Sequence, residues 1–343
     1  MCYFACMQVL QNVSLKQFNT FGVDAAARRF ACFSTVEELD ELLKLSASGA
    51  KRFILGGGSN LLFTCDVDGW VLKNELMGRE RTGEDDDFVY LRAGAGENWH
   101  NLVEYCVANN WAGVENLSLI PGNVGATPMQ NIGAYGVEIK DVVYEVEAYH
   151  MLDRTRVRFS NDGCRFGYRD SIFKQAAKGQ FVIVSVTYRL RKKPVFHTQY
   201  GAIEQELERM GAQNVSIQAI AQAVINIRRS KLPDPRQLGN AGSFFKNPSV
   251  TASQFQQLQQ AYPEIPAYPN PDGTVKLAAG WLIEQCGWKG YRKGDAGCHR
   301  QQALVLVNYG TASGQELLAL SEAIRQSVQN KFGVDLEREV NVV

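Results

Sequence analysis

The chain has 343 residues, 45% of them hydrophobic and 21% charged, with Lys plus Arg and Asp plus Glu equal at 36 each. That length exceeds one typical core, so two or three domains are expected. The charge balance removes the footprint of a nucleic-acid binder, and no window nears the roughly 20 apolar residues of a membrane helix. Eight cysteines form no CxxC pair, and four scattered histidines show neither HxxxH nor HExxH spacing. Neither a disulfide framework nor a metal site is therefore expected. The first ten residues are apolar but lack a basic start and a small-residue cleavage site. They read as an N-terminal extension, and the expected compartment is the cytoplasm.

Taken in chain order, 34–43 reads as a capped helix, because Ser34 with Glu37 and Thr35 with Glu38 both fit a capping box. Residues 52–55 read as a short buried strand running into three glycines, and 71–72 and 89–91 as further strands. The acidic run 84–87 reads as a solvated hairpin tip. Trp99, Leu102, Val103, Cys106 and Val107 recur at helical spacing, so 97–110 is an amphipathic helix with Cys106 as a packed thiol. Gly94 and Gly96 ahead of it fail the dinucleotide fingerprint, since Trp99 stands where a third glycine belongs. Residues 181–190 form a clear strand. A helix over 216–229 carries Ile217, Ile220, Ala221, Val224 and Ile227 on one side, and the Pro-Asp-Pro at 233–235 ends it at a domain boundary. Beyond it, helices are expected near 253–261, 275–286 and 313–332, the last capped by Ser313 and Glu316, with strands at 303–307 and 334–343. The class is α+β.

Two glycine-rich segments stand out: Leu55-Gly-Gly-Gly-Ser-Asn60, and 120–136. Between Glu115 and Glu138 there is no Asp, Glu, Lys or Arg, although four Gly and two Pro interrupt regular structure. A solvated linker would carry charges. This stretch reads as backbone pressed against a large, flat, partly anionic ligand, or as a buried crossover. Arg169, in Phe166-Gly-Tyr-Arg-Asp-Ser171, presents a fork suited to a carboxylate or phosphate, or pairs with Asp170 at a surface turn. Ser243, in Gly242-Ser-Phe-Phe-Lys-Asn-Pro248, lacks a nucleophile elbow. It suits proton donation, or a hydrogen bond to its own turn, the reading these residues alone favour. Strand alternation over 336–340 separates Leu336, Arg338 and Val340 from Glu337 and Glu339, which would ordinarily face solvent.

These segments occur together in an order that resembles the UDP-N-acetylenolpyruvoylglucosamine reductase family from about residue 14 to 340. Asn19-Thr-Phe-Gly22 resembles the family's opening motif, and Leu336-Glu-Arg-Glu-Val340 its closing one. The resemblance implies a two-part FAD-binding module of the vanillyl-alcohol-oxidase type plus a substrate domain. The domains would span 14–75 with 335–343, then 76–227, then 228–334. Gly56, Gly57, Gly58, Ser59 and Asn60 would offer main-chain N–H groups to a tightly but non-covalently bound FAD, as such nests do. Pro121, Gly122, Gly125, Gln130, Asn131, Ile132, Gly133, Ala134, Tyr135 and Gly136 would line the flavin.

The same resemblance implies an NADPH-dependent reduction of an enolpyruvyl UDP-sugar in peptidoglycan precursor synthesis. Ser243 would be the proton donor, with Arg169 and Glu339 around the substrate carboxylate. Tyr168, a substrate-closing Tyr200, Lys231, Asn247 and one of Gln301 or Gln302 would bind substrate. No metal, nucleic acid, membrane or obligate protein partner is implied. Two departures stand: the first dozen residues match nothing in the family, and the chain stops four residues after Glu339, which would leave its strand with less support. A flavin oxidase of the same fold and a non-catalytic UDP-sugar-binding protein are the rival readings. The oxidase is disfavoured because neither glycine segment holds a histidine to tether flavin.

Overall fold

The computed structural model describes residues 8–46, 49–199 and 202–343. The chain divides into two compact units, and each is described by itself. The first is built from Ala27–Gly57 and Val67–Ser230, with the segment ending at Val13; the second from Ser14–Ala26, Gly58–Asp66 and Lys231–Val343.

The first unit holds two larger sheets and the two-stranded hairpin of Gly133–Ala134 and Val137–Glu138. One runs in the order Leu10–Ser14, Ala26–Phe33, Val67–Asn74, Arg52–Leu55, with the last three mutually parallel. The helix Val36–Leu45 buries Val36, Leu39, Leu42 and Leu43 against Phe33, Trp70 and Leu72. Only Thr35 and Glu38 form its capping box, and Ser34 bonds the same Glu38 carboxylate, so the two spacings read in the sequence collapse into one cap. The second sheet is antiparallel, in the order Thr155–Ser160, Val143–His150, Phe181–Arg191, Phe88–Gly94, Arg79–Glu84. Its acidic tip is real: Asp85 accepts from the N–H groups of Asp87 and Phe88.

The helix Trp99–Ala108 buries Trp99, Leu102, Val103 and Cys106 against this sheet. Burial pushes the Cys106 thiol up to about 12, in keeping with a packed rather than reactive cysteine. Gly94 and Gly96 serve packing, since a Cβ would stand 2.3 Å from the Leu76 carbonyl oxygen at the first and 2.7 Å from the Leu76 nitrogen at the second. The helix Ile217–Lys231 packs Ile220, Val224 and Ile227 on Ile203 and Leu207.

The second unit has a sheet in the order Gly239–Ser243, Val305–Asn308, Ala296–Cys298, Arg292–Lys293, and a smaller one of Ser249–Val250, Val275–Leu277 and Ala267–Pro269. The expected helix over 275–286 is instead the strand Val275–Leu277 followed by the helix Ala279–Gln285. Val275 pairs with Val250 and with Pro269, which fixes the strand, and the Asn247 side chain caps Ala279 and starts the helix one turn later. The long helix Gly314–Phe332 has the Ser313 and Glu316 box expected of it.

The expected strand over 334–343 shrinks to Asn341–Val342, paired parallel with Leu61–Leu62, plus a single bridge from Arg338 to Phe245. Arg325 Nε donates to the Leu336 carbonyl, so a side chain takes a group that a longer ladder would need. The expected alternation is seen in part: Leu336 and Val340 are buried and Glu337 is exposed, while Arg338 and Glu339, expected on opposite faces, are both half-buried. The tail is well held, because the Val343 carbonyl accepts from both the N–H and the hydroxyl of Thr64.

Candidate functional site

In the second unit, Ser243 ends the strand Gly239–Ser243 just after a register break between Asn240 and Ser243. Gly242 adopts φ +69, a left-handed conformation that glycine reaches without cost, and a Cβ there would meet nothing within 4 Å. The turn's hydrogen bonds are made by Asn240, which is 2% exposed. Its Oδ1 accepts from the Gly242 N–H at 3.0 Å, and its Nδ2 donates to the carbonyls of Pro233 and Leu238. The Ser243 hydroxyl is therefore not needed by its own turn, and it has no partner among the described residues. The two aromatics that follow, Phe244 and Phe245, are fully buried and anchor the backbone on which Ser243 stands.

The segment carrying Glu339 lies directly beside that backbone. The Glu339 N–H donates to the Phe244 carbonyl at 2.8 Å, and the Lys246 N–H donates to the Glu337 carbonyl at 2.9 Å. Segments far apart in the sequence are thus brought together, and Glu339 sits one step along the pairing from Ser243. Glu337 points outward and pairs with Lys246. The Asn60 side chain donates to the Glu339 carbonyl at 3.2 Å, tying the first glycine segment to this strand. Gly58 has φ +65, and a Cβ there would fall 1.9 Å from the Phe18 carbonyl oxygen. The Thr20 N–H donates to the Gly58 carbonyl. The Asn19-Thr-Phe-Gly motif is thus the bed on which the end of the glycine loop rests.

Asn247 spends its Oδ1 on the Ala279 N–H, leaving its amide N–H groups available. Gln302 is half-buried with Oε1 accepting from Leu304, while Gln301 is exposed. Lys231 is exposed at the last position of its helix. Tyr200 lies outside the described residues.

In the first unit, much of the uncharged stretch enters the core: Leu117, Val124, Ile132 and Val137 are all buried there. Its close approaches are mostly to protein. A Cβ on Gly125 would meet Ala95, and one on Gly133 would meet Glu138 and Arg169. Asn131 is fully buried, donating to Glu138 and to the Gly167 carbonyl and accepting from the Lys140 N–H. Ala134 and Val137 flank a two-residue turn in which Tyr135 and Gly136 both have positive φ, the geometry a tight hairpin requires. Pro121 is exposed, and Gly122 and Gln130 are half-buried.

Arg169 sits at the tip of a tight turn closed by reciprocal backbone bonds between Gly167 and Asp170. Its guanidinium donates to the Gly133 carbonyl at 2.7 Å and the Asn131 carbonyl at 3.4 Å, and it lies over the half-exposed Tyr168 ring. Asp170 accepts from Ser171 and Gln175. Four of the eight non-glycine residues with positive φ among the described residues are Leu119, Asn131, Tyr135 and Arg169. Such strain concentrates where surrounding structure over-determines the backbone, commonly at functional sites.

Two residues that the sequence did not single out complete this cluster. Arg228 Nε donates to the Leu119 carbonyl at 3.2 Å, while the Leu119 N–H donates to His100 Nδ1 at 3.1 Å. Burial lowers the pKa of Arg228; nearby Tyr135 raises it and the charge of Arg169 lowers it. Two guanidiniums therefore feel each other with no carboxylate bonded to Arg228 among the described residues, an arrangement that favours an anionic ligand. In the sequence, Arg228 is the polar side of a helix whose apolar side alone is periodic, so it reads as solvated.

Gly56 and Gly57 begin the glycine loop from the end of the strand Arg52–Leu55. A Cβ on Gly57 would stand 2.8 Å from Asn123 Oδ1 and 2.9 Å from the Gly122 Cα, so the two glycine segments touch here. A Cβ on Gly56 would meet nothing within 4 Å. The N–H groups of Gly57 and Gly58 have no acceptor among the described residues, while Ser59 and Asn60 make further contacts. Successive main-chain donors without an acceptor fit an anionic diphosphate, so these residues suit a dinucleotide cofactor. No cluster of three or more His, Cys, Asp or Glu among the described residues could hold a metal ion.

An α+β chain with such a loop and a strained, cationic, otherwise uncharged lining has the features of a flavin-dinucleotide enzyme. Comparison with known proteins agrees. A family model described as an FAD binding domain matches residues 27–155. Another, described as the C-terminal domain of UDP-N-acetylenolpyruvoylglucosamine reductase, matches residues 234–343. The chain is 50% identical over 338 residues to the UDP-N-acetylenolpyruvoylglucosamine reductase of Flavobacterium johnsoniae, covering 98% of this chain and all of the relative. It is also 50% identical to that of Chromobacterium violaceum, over 97% of this chain and 98% of the relative. The crystal structure of the reductase (MurB) from Thermus caldophilus superposes with a TM-score of 0.68 at 25% identity, covering 98% of this chain and 99% of the other. The chain belongs to the UDP-N-acetylenolpyruvoylglucosamine reductase family.

Proposed function

We propose that Ser243, Arg169 and Glu339 carry out the reductase reaction of this family. In it, the enolpyruvyl group of UDP-N-acetylglucosamine enolpyruvate becomes the lactyl ether of UDP-N-acetylmuramate, a peptidoglycan precursor. The glycine segments would hold FAD, which would supply the hydride, taken from NADPH, that forms the new C–H bond at the enolpyruvyl β-carbon. That addition leaves carbanion character on the adjacent carbon, delocalised into the carboxylate. Arg169 supplies a fixed positive charge to the carboxylate, and a protonated Glu339 donates to the oxygen on which charge grows. Removing one such preorganised donor typically costs about 10²–10³ in rate.

Ser243 then gives its proton to the adjacent carbon. Serine is a weak acid, but an enolate-like centre is basic enough to use it. The observation that supports the assignment is the Ser243 hydroxyl, released from its turn by Asn240, on the residue before Phe244, whose carbonyl accepts from the Glu339 N–H. Arg228 adds a second cation to the side on which Arg169 stands. Tyr168, Tyr200, Lys231, Asn247 and Gln302 are assigned to the substrate, with a three-part division into 14–75 plus 335–343, 76–227 and 228–334. The glycine segments are assigned to FAD. The protein acts in the cytoplasm on small molecules, without an obligate protein partner. No helix among the described residues is long and apolar enough to cross a membrane.

The test is Ser243→Ala studied one half-reaction at a time. NADPH should bleach the flavin at the wild-type rate, while reoxidation by the UDP-sugar slows by about 10²–10⁴, the usual worth of general-acid help. Reoxidation at the wild-type rate would remove Ser243 from the mechanism.

A further inference from the structure

The strand Val67–Asn74 contributes a lysine to the glycine loop that neither glycine segment contains. Lys73 is its penultimate residue and lies opposite Leu55, the last residue of the parallel strand Arg52–Leu55. Both therefore sit at the carboxyl ends of parallel strands, where open α/β sheets bind ligands. Lys73 Nζ donates to the Gly56 carbonyl at 2.9 Å. No carboxylate stands within 4.0 Å of it among the described residues. The charged or titratable groups whose fields reach it are Glu75 and the Cys32 thiol, and burial lowers its pKa. A half-buried lysine without an ion pair is unusual for structural packing alone.

Its partner explains what it does. In a trans peptide the C=O and the following N–H point to opposite sides. Holding the Gly56 carbonyl therefore turns the Gly57 N–H away from Lys73, and that N–H has no acceptor among the described residues. A Gly–Gly peptide flips easily without such a hold, because neither residue restricts φ. A cation on the carbonyl also polarises the peptide and strengthens its N–H as a donor.

We propose that Lys73 is a positioning residue for the diphosphate of the dinucleotide cofactor, fixing the 56–57 peptide so that the Gly57 N–H faces the phosphate. The proposal rests on the reading that the loop from Gly56 holds that diphosphate.

The test compares FAD with riboflavin, which lacks the diphosphate. Protein stripped of flavin is titrated with each by flavin fluorescence quenching, for wild type, Lys73→Met and Lys73→Arg, with thermal melting of each apoprotein as a folding control. Wild type should prefer FAD strongly. Lys73→Met should weaken FAD about 10- to 100-fold, the size of one charge-assisted hydrogen bond, leave riboflavin unchanged and keep the melting curve. Lys73→Arg should restore most of the loss. Unchanged FAD affinity in Lys73→Met, or equal weakening of both flavins, overturns the proposal while the diphosphate reading stands. A wild type that binds riboflavin as tightly as FAD overturns both. Should Lys73→Met fail to fold, FAD affinity in a folded Lys73→Gln, which keeps a donor without its charge, decides between these outcomes.

Discussion

Ser243 and Asn240 divide between them two tasks that a single serine often combines, and the division arises only in the fold. A serine after a glycine ordinarily bonds its own turn. Here the buried amide of Asn240 takes that role and leaves the hydroxyl for chemistry. His100 shows a comparable economy. Its Nδ1 accepts from the Leu119 N–H, so only the neutral ring can hold the strained residue at the head of the uncharged loop. Burial lowers its pKa below the ordinary 6.5, against the opposing pull of Glu104, and Arg228 and Arg229 push the same way as burial. A depressed pKa means that the unfolded chain binds the proton more readily. The stability His100 contributes is thus present above pH 6.5 and lost as pH falls through its folded value. Chemical denaturation at a series of pH values should show wild-type stability declining below 6.5. In His100→Phe that limb should flatten between 6.5 and 5. An equally steep limb in the variant would mean that His100 is not the group responsible.

Elements were legible where a local rule decided them. The Thr35/Glu38 and Ser313/Glu316 boxes gave two helix starts, and the apolar spacing of Trp99 to Val107 gave a third. Rules failed where a distant side chain intervened. Arg325 takes the Leu336 carbonyl and shortens the final strand, and Asn247 delays a helix to Ala279. The missing charges of 116–137 were ambiguous for a physical reason: a ligand surface and a protein core both exclude them, and this stretch contributes to the core with Val124, Ile132 and Val137. At this scale Asn240 is the strut of the bulge that presents Ser243. Asn240→Ala would leave the Gly242 N–H and two carbonyls short of partners, a loss of about 2–3 kcal/mol in urea unfolding. Holoenzyme made at low temperature should also show slowed flavin reoxidation with flavin reduction intact. A variant with wild-type stability and reoxidation would contradict the role given to this side chain.

Across the whole molecule, the strongest signal in the sequence was the co-occurrence of segments rather than any one of them. Gly56 to Asn60, the 120–136 stretch, the Arg169 turn and the Ser243 strand are each explicable as local structure. Within each unit, folding ties some of them together. Asn60 bonds the Glu339 carbonyl, the Glu339 N–H bonds Phe244 next to Ser243, and Gly57 meets Gly122 and Asn123. Arg228, His100 and Lys73 escaped notice because each is a cation or ring on an otherwise ordinary helix or strand, and their importance lies in which backbone group they hold. One flavin would link the two half-reactions through residues of this chain. The most direct test is anaerobic visible absorbance of the purified protein, with NADPH added first and the enolpyruvyl UDP-sugar added once NADPH is consumed. The flavin band should bleach with NADPH and return only on adding the sugar. A bleached band indifferent to the sugar, or no flavin band after reconstitution with FAD, would contradict that link.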